Sequence, residues 1–292
     1  MGICDNRTII ITGAGGGLGR AYALAFAAEG ARVVVNDIRR EAAEAVCAEI
    51  DAAGGQSLAN DDDITSVAGA ERIVAAALEV FGAVHGVVNN AGVCRDRMFA
   101  TMSEEDWDQV MQVHLRGHFC LANVLTRHWR ERHKAGEPVD ARIINTSSGA
   151  GLQGSIGQSN YSAAKAGILG LTLVQAAELG RYGITANAVA PQARTGMTEG
   201  VFDEMMKPPA DGGFDGWDPA NVAPLVVWLG SAASSHVSGR VFEAKGGWLS
   251  VADGWRTGPE RDKQARWQPA ELGEVVDGLL SEAVPPQKVY GT

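Results

Sequence analysis

Among the 292 residues, no apolar run approaches the roughly 20 that a bilayer-spanning helix needs. The start, MGICDNRTIII, lacks the charged-then-apolar order of a secretion signal. Asn6 stands where a myristoylation motif wants Ser or Thr, and the final VYGT is not a peroxisomal SKL address. A cytoplasmic location is the expectation. Cysteine is scarce: Cys4, Cys47, Cys94 and Cys120 are scattered, with no CxxC and no metal-ligand spacing. They read as reduced, mostly buried thiols, and no metal site is expected. Positive charge is also short, with 25 Lys and Arg against 35 Asp and Glu and a net charge of −10. That balance argues against nucleic-acid and anionic-membrane partners, both of which call for basic patches. There are no repeats and no low-complexity segments. Asn145-Thr-Ser and Asn160-Tyr-Ser match the glycosylation pattern by chance, one at a strand end and one at a helix start.

What is present is an alternation of short β-branched runs and helical periodicities, the pattern of an α/β domain with a sizeable core. Strands are expected at Thr8–Thr12, Arg32–Asn36, Gln56–Asn60, Gly86–Asn89, Ala141–Thr146, Ile184–Val189 and Arg240–Ala244. Helices are expected at Arg20–Glu29, Arg40–Ala53, Val67–Phe81, Asn160–Arg181, Asn221–Gly230 and Pro269–Ala283. A long helix also follows the capping pattern Ser103-Glu-Glu-Asp106 and continues through Arg132, before a polar surface loop over Glu131–Asp140. Residues 1–247 form the main unit. Residues 196–219, rich in Gly, Pro and Met, read as a mobile lid over substrate. Residues 248–292 form an extension with three tryptophans, and no linker sets it apart. It is expected to pack on the same domain or on a neighbouring subunit.

The first strand runs straight into Gly13-Ala-Gly-Gly-Gly17-Leu18-Gly19 and then into a helix. Glycines there let the backbone turn tightly against a pyrophosphate, and the helix N-terminus offers free N–H groups. Such a loop alone is an ordinary turn; its position after the first strand makes it a dinucleotide site. Asp37 ends the second strand, where a carboxylate accepts hydrogen bonds from a ribose 2′-OH and repels a 2′-phosphate. This favours NAD, against the counter-signal of Arg39 and Arg40. Among Asp61, Asp62 and Asp63, one acid is a candidate for the adenine edge, the bland alternative being a solvated turn. Asn89 and Asn90 stop the fourth strand with side chains suited to bridging backbone groups.

The fifth strand delivers Ser147 and Ser148 at its C-terminal end, where open α/β sheets bind ligands. Tyr161 and Lys165 lie four apart, on one face of a helix. An ammonium beside a phenol lowers its pKa and lets it carry a proton at neutral pH. Ser148 is suited to holding a substrate oxygen beside that phenol. Each residue alone is commonplace; together, behind a dinucleotide loop, they form an acid–base site for an alcohol or carbonyl. His114 lies on the apolar face of the long helix, where a packed structural histidine is the ordinary case. The small-residue face Ala163, Ala164, Ala166, Gly167 and Gly170 suits close packing, including across a dimer.

Thr12-Gly-x-x-x-Gly17-x-Gly19, Asn89-Asn-Ala-Gly92, Ser148, Tyr161-x-x-x-Lys165 and Asn187-x-x-x-Pro191 resemble the motifs of the short-chain dehydrogenase/reductase family, in order and over nearly the whole chain. The resemblance implies a Rossmann-type doubly wound sheet of about seven parallel strands in a single domain, and a homodimer or homotetramer. It implies Tyr161 as proton carrier, Lys165 as its partner on the nicotinamide ribose, and Ser148 on the substrate oxygen. It further implies Gly13, Gly17, Leu18, Gly19, Asp63, Ile64, Asn90, Ala91, Gly92, Pro191, Ala193 and Thr195, together with Tyr161 and Lys165 themselves, as cofactor-binding residues. Three departures refine it: His114 in place of the family's usual helix Asn, Gln192 after Pro191 in place of Gly, and the extension beyond Gly246-Gly247. All three look like the dehydrogenase unit of peroxisomal multifunctional enzymes of type 2 and its bacterial relatives. Those act on 3-hydroxyacyl-CoA thioesters and in part on steroids, so a small-molecule acyl-CoA or steroid-like substrate is implied. His114 then joins the catalytic set. Two alternatives stand beside this. One is an NADPH-dependent 3-oxoacyl thioester reductase, against which Asp37 and Gly16 count. The other is a non-catalytic dinucleotide sensor, which would not need both Tyr161 and Lys165.

Overall fold

In the computed structural model, which describes residues 2–196 and 206–291, the chain builds one sheet in the order β3-β2-β1-β4-β5-β6-β7-β8. Its strands are β1 (Thr8–Thr12), β2 (Arg32–Asn36), β3 (Gln56–Asn60), β4 (Gly86–Asn89), β5 (Ala141–Thr146), β6 (Ile184–Pro191), β7 (Val241–Lys245) and β8 (Trp248–Ala252). The first seven pair in parallel. Residues 197–205 of the expected lid lie outside the described residues.

The β-branched runs are continuous because both faces of the sheet are covered. Ile9 and Ile11 point to a layer holding Tyr22, Phe26, Val46 and Val226. Ile10, between them, points to the opposite layer with Ile73, Leu121, Leu125 and Trp129. The first layer is supplied by α1 (Gly17–Ala28), α2 (Arg40–Ala52) and α8 (Ala223–Gly230), the second by α3 (Val67–Phe81) and α5 (Gly117–Lys134). Strand order reverses between β1 and β4. A crevice therefore opens at the C-terminal ends of those strands, beside β5.

Three features depart from the expected layout. An eighth strand, β8, returns antiparallel to β7 after a turn in which Gly246 adopts φ +51°. As an edge strand exposed at Trp248, Leu249 and Val251, it lacks the apolar signature of its neighbours. The long helix divides into α4 (Glu104–Met111), a π-helical turn at Gln112–Arg116, and α5. Ser103 caps it as expected, its hydroxyl accepting from the Asp106 N–H at 3.0 Å. Finally, the short helix α6 (Gly149–Gln153) follows Ser148, ahead of the long helix α7 (Ser159–Leu179). Toward the C-terminus, α9 (Leu272–Glu282) forms where helical periodicity resumes.

Candidate active site

A groove of about 860 Å³ lies over the crevice. Gly13, Gly17, Leu18 and Gly19 line its floor, between the end of β1 and the first turn of α1. Gly13 sits at φ +62°, and a Cβ on it would meet the Ala91 backbone at 2.7 Å. A Cβ on Gly19 would lie 2.2 Å from the Gly13 carbonyl oxygen and 2.7 Å from the Asn90 amide nitrogen. The loop can therefore be this tight only without side chains. The residue before α1 is Gly16, which offers no side-chain cap, so the first-turn N–H groups face the groove without one. Bare N–H groups at a helix N-terminus are what a pyrophosphate requires.

Asp37 lines the same groove at the end of β2 and is nearly buried. One carboxylate oxygen accepts from the Gly15 N–H and the other from the Arg39 N–H, both at 3.0 Å. Arg39 and Arg40, the counter-signal in the sequence, are engaged by carboxylates: Arg39 pairs with Asp37, and Arg40 with Glu44 and Asp61. Asp63, Ile64, Asn90, Ala91, Gly92 and Thr195 also line the groove. Pro191 and Ala193 lie outside its lining; Ala193 is buried in the α1–α8 layer. Asn90 bridges strand ends, its side-chain amide donating to the Thr12 carbonyl at 2.9 Å. Thr12 returns the tie, its hydroxyl accepting from the Asn90 and Ala91 N–H groups at 2.9 and 3.0 Å.

These residues fit a nicotinamide dinucleotide. Replacing Gly19 by Ala is expected to weaken dinucleotide binding at least ~10-fold, about 1.4 kcal/mol, as read by calorimetric titration. Unchanged affinity would mean the loop is not the pyrophosphate cradle.

Ser148, Tyr161 and Lys165 come together where β5 ends. Ser148 caps α6, its hydroxyl accepting from the Ala150 N–H at 3.2 Å. Its hydroxyl also faces the Tyr161 phenol closely enough to favour the phenolate. Lys165 is 2 % exposed; its ammonium donates to the Thr146 carbonyl at 2.6 Å and lies 5.5 Å from the centre of the Tyr161 ring. The expected lowering of the phenol pKa does not dominate. Burial holds Tyr161 above its ordinary value, Cys94 and Asp96 push it further, and only the Ser148 hydrogen bond opposes them. Burial pushes Lys165 down to about 7, with Cys94 opposing. Burial therefore disfavours a charge on either group, and near pH 7 it is Lys165 that gains or loses a proton.

His114 sits in the π turn, a backbone irregularity frequent at functional sites. Its Nε2 lies 2.8 Å from the Val93 carbonyl oxygen and 3.1 Å from the Val93 nitrogen. Its ring meets Tyr161 edge-on at 5.1 Å and 88°. Burial, and then the Lys165 charge, push it down to about 3, so the imidazole is neutral. A Cβ on Gly92 would lie 2.3 Å from its Cε1, which explains why the groove wall is bare there. His114 thus joins the groove to the catalytic pair.

Sequence reasoning missed the positioning role of Asn160. Fully buried, it donates to the Arg95 and Asp106 carbonyls at 3.0 and 3.1 Å and accepts from the Tyr161 N–H at 2.7 Å. Its only signal was a polar residue directly before Tyr161. Asn145 was likewise unmarked; it donates to Thr172 and Gln175 and accepts from Asn89, pinning β4, β5 and α7 together.

The family model for short chain dehydrogenases matches residues 7–205. A crystal structure of a short chain dehydrogenase from Mycobacterium avium superposes with a TM-score of 0.92 at 54 % identity, covering 100 % of both chains. Hydroxyacyl-CoA dehydrogenase ChsB1 of Mycobacterium tuberculosis is 41 % identical over 99 % of this chain and 93 % of its own. Peroxisomal multifunctional enzyme type 2 of Mus musculus is 44 % identical over 84 % of this chain, which spans only 32 % of that longer protein. With its sheet order, its bare glycine loop and its Ser148–Tyr161–Lys165 cluster, the chain belongs to the short-chain dehydrogenase family of oxidoreductases.

Proposed function

We propose that this enzyme oxidises the secondary alcohol of a 3-hydroxyacyl-CoA, or of a steroid-derived CoA thioester, with NAD. The observation that carries it is the Ser148–Tyr161 hydroxyl pair over buried Lys165, directly beside the dinucleotide groove. The bound dinucleotide supplies the hydride acceptor. Ser148 holds the substrate hydroxyl and the charge that develops on its oxygen. Tyr161 takes the hydroxyl proton. The buried phenol can do so only as its own proton passes on to Lys165, which burial pushes down to about 7 and which becomes the ammonium. His114, neutral and fixed on Val93, braces the wall between the two sites. The thioester class is supported by the names of the mycobacterial and mouse relatives. A panel of 3-hydroxyacyl-CoAs of several chain lengths, beside hydroxysteroids, tests it by NAD reduction. Turnover of hydroxysteroids alone would overturn the thioester reading.

The preference for NAD over NADP is supported by Asp37, which lines the groove at the end of β2, and by neighbouring arginines that are paired with acids. Initial rates should favour NAD at least ~10-fold in kcat/KM, about 1.4 kcal/mol of differential transition-state binding. Replacing Asp37 by Ser should erode that preference, and a wild-type preference for NADPH would refute the assignment. A homodimer or homotetramer in the cytoplasm, with residues 1–247 as the dehydrogenase unit and 248–292 as an extension, completes the reading. Exposed Phe119 on α5 and Leu173 and Val174 on α7 offer the apolar face such assembly needs.

A further inference from the structure

The segment after α9 is not used by the chemistry above, yet it returns to the catalytic strand end. The Tyr290 N–H donates to the Gly154 carbonyl at 3.2 Å, and the Ile156 N–H donates to the Tyr290 carbonyl at 3.0 Å. These bonds form a parallel bridge between Tyr290 and Ser155. On its other side the same short segment is tied by the Arg97 N–H donating to Gly157 at 2.8 Å. The strap therefore completes a small three-ply edge on the stretch between Ser148 and Tyr161.

The strap also presents a side chain to the site. A Cβ on Gly149 would lie 2.5 Å from the Tyr290 hydroxyl oxygen and 2.8 Å from its Cε2. The ring thus rests on bare backbone at the residue directly after Ser148, and only glycine lets it approach so closely. Burial and then the charge of Glu243 raise its phenol. At 41 % exposure Tyr290 still offers a free face.

We propose that Tyr290, carried on the C-terminal strap, is a specificity-determining wall of the substrate site that limits bulk beside Ser148. This rests on the assignment of Ser148, Tyr161 and Lys165 as the reacting centre. A carbinol held at Ser148 carries substituents on both sides, and the one directed over α6 meets the Tyr290 ring. Two extended ends of backbone hold that ring more firmly than a free tail would, so its volume is a fixed part of the site.

The test uses Tyr290→Ala, Tyr290→Phe and a chain ending at Lys288. In each, kcat and KM are measured for a short straight-chain 3-hydroxyacyl-CoA and for a ring-bearing one, with NAD affinity measured separately. Tyr290→Ala and the shortened chain should shift the kcat/KM ratio at least ~10-fold toward the bulky substrate, mainly through KM. Tyr290→Phe should keep the wild-type ratio, and NAD affinity should stay within ~2-fold throughout. A fall of both substrates by the same factor would mark a merely structural strap and overturn the proposal, as would an unchanged ratio. If the wild type oxidises neither thioester, the thioester reading alone fails. The ratio is then read between a short secondary alcohol and a hydroxysteroid, with the same outcomes deciding.

Discussion

Replacing Tyr161 by Phe is expected to lower turnover by ~10³-fold or more while leaving NAD affinity within ~2-fold of wild type. The substitution removes one oxygen and keeps the ring. The contacts of the ring with His114 and Lys165 persist, as does the backbone tie from Asn160. No groove-lining side chain is touched, so dinucleotide binding reports on folding independently of catalysis. What disappears is the one group able to receive the alcohol proton beside Ser148. Lys165 cannot substitute, because its side-chain nitrogen is committed to the Thr146 carbonyl at 2.6 Å and lies behind the ring. Stopped-flow single turnovers would separate this loss from product release. Ser148→Ala should cost about 10² by removing the oxygen-side hydrogen bond. The double variant should cost little more than Tyr161→Phe alone, since the two hydroxyls act as a unit. Turnover within ten-fold of wild type in Tyr161→Phe would show that the proton leaves by another route, and the acid–base assignment would fall.

The parts of this enzyme legible in its sequence are those that one local rule determines. The strands β1 and β2 announce themselves because burial on both faces demands unbroken β-branched runs. The glycine loop is legible because close backbone approach tolerates nothing else, as the 2.2 Å contact at Gly19 makes plain. Asp37 is legible by its place at a strand end. The parts that stayed hidden depend on neighbours far away in the chain. Strand β8 carries no pattern because it pairs to β7 chiefly through backbone and its side chains are largely exposed. The π turn at His114 leaves the apolar periodicity intact, so a straight helix is the natural expectation. Asn160 serves through carbonyls of residues 95 and 106, and no spacing rule links those to a helix start. The direction of the Tyr161 shift is hidden for a related reason. The Tyr–Lys spacing speaks of proximity, whereas burial of both groups outweighs it.

Stability should fall steeply as the pH drops from about 6.5 toward 4, through histidines that the fold keeps neutral. Burial pushes His114 down to about 3 and His85 to about 4, and holds His118 far below its ordinary value. In the unfolded chain all three titrate near 6.5. Between those limits the unfolded state binds more protons than the folded one, so unfolding is favoured by acid. The stability is fully present above about pH 6.5 and is lost as the pH approaches the folded values. Each such histidine contributes a slope of up to about 1.4 kcal/mol per pH unit, and three together up to about 4. Against a typical total of about 5–15 kcal/mol, two pH units remove a large part of the stability. Geometry demands the neutral forms as well. His85 Nδ1 accepts the Thr8 N–H at 3.0 Å, which a protonated ring cannot do, and Arg7 and Arg32 stand close enough to oppose its charge. Urea titrations at pH 7 and pH 5 read the effect as a fall in midpoint at constant m. His85→Asn, whose side-chain oxygen takes the place of Nδ1 as acceptor for Thr8 but cannot titrate, should lower the slope by about one proton. Equal midpoints at the two pH values would mean that these imidazoles meet solvent in the folded protein. The neutral His114 brace between groove and phenol would then have to be abandoned with them.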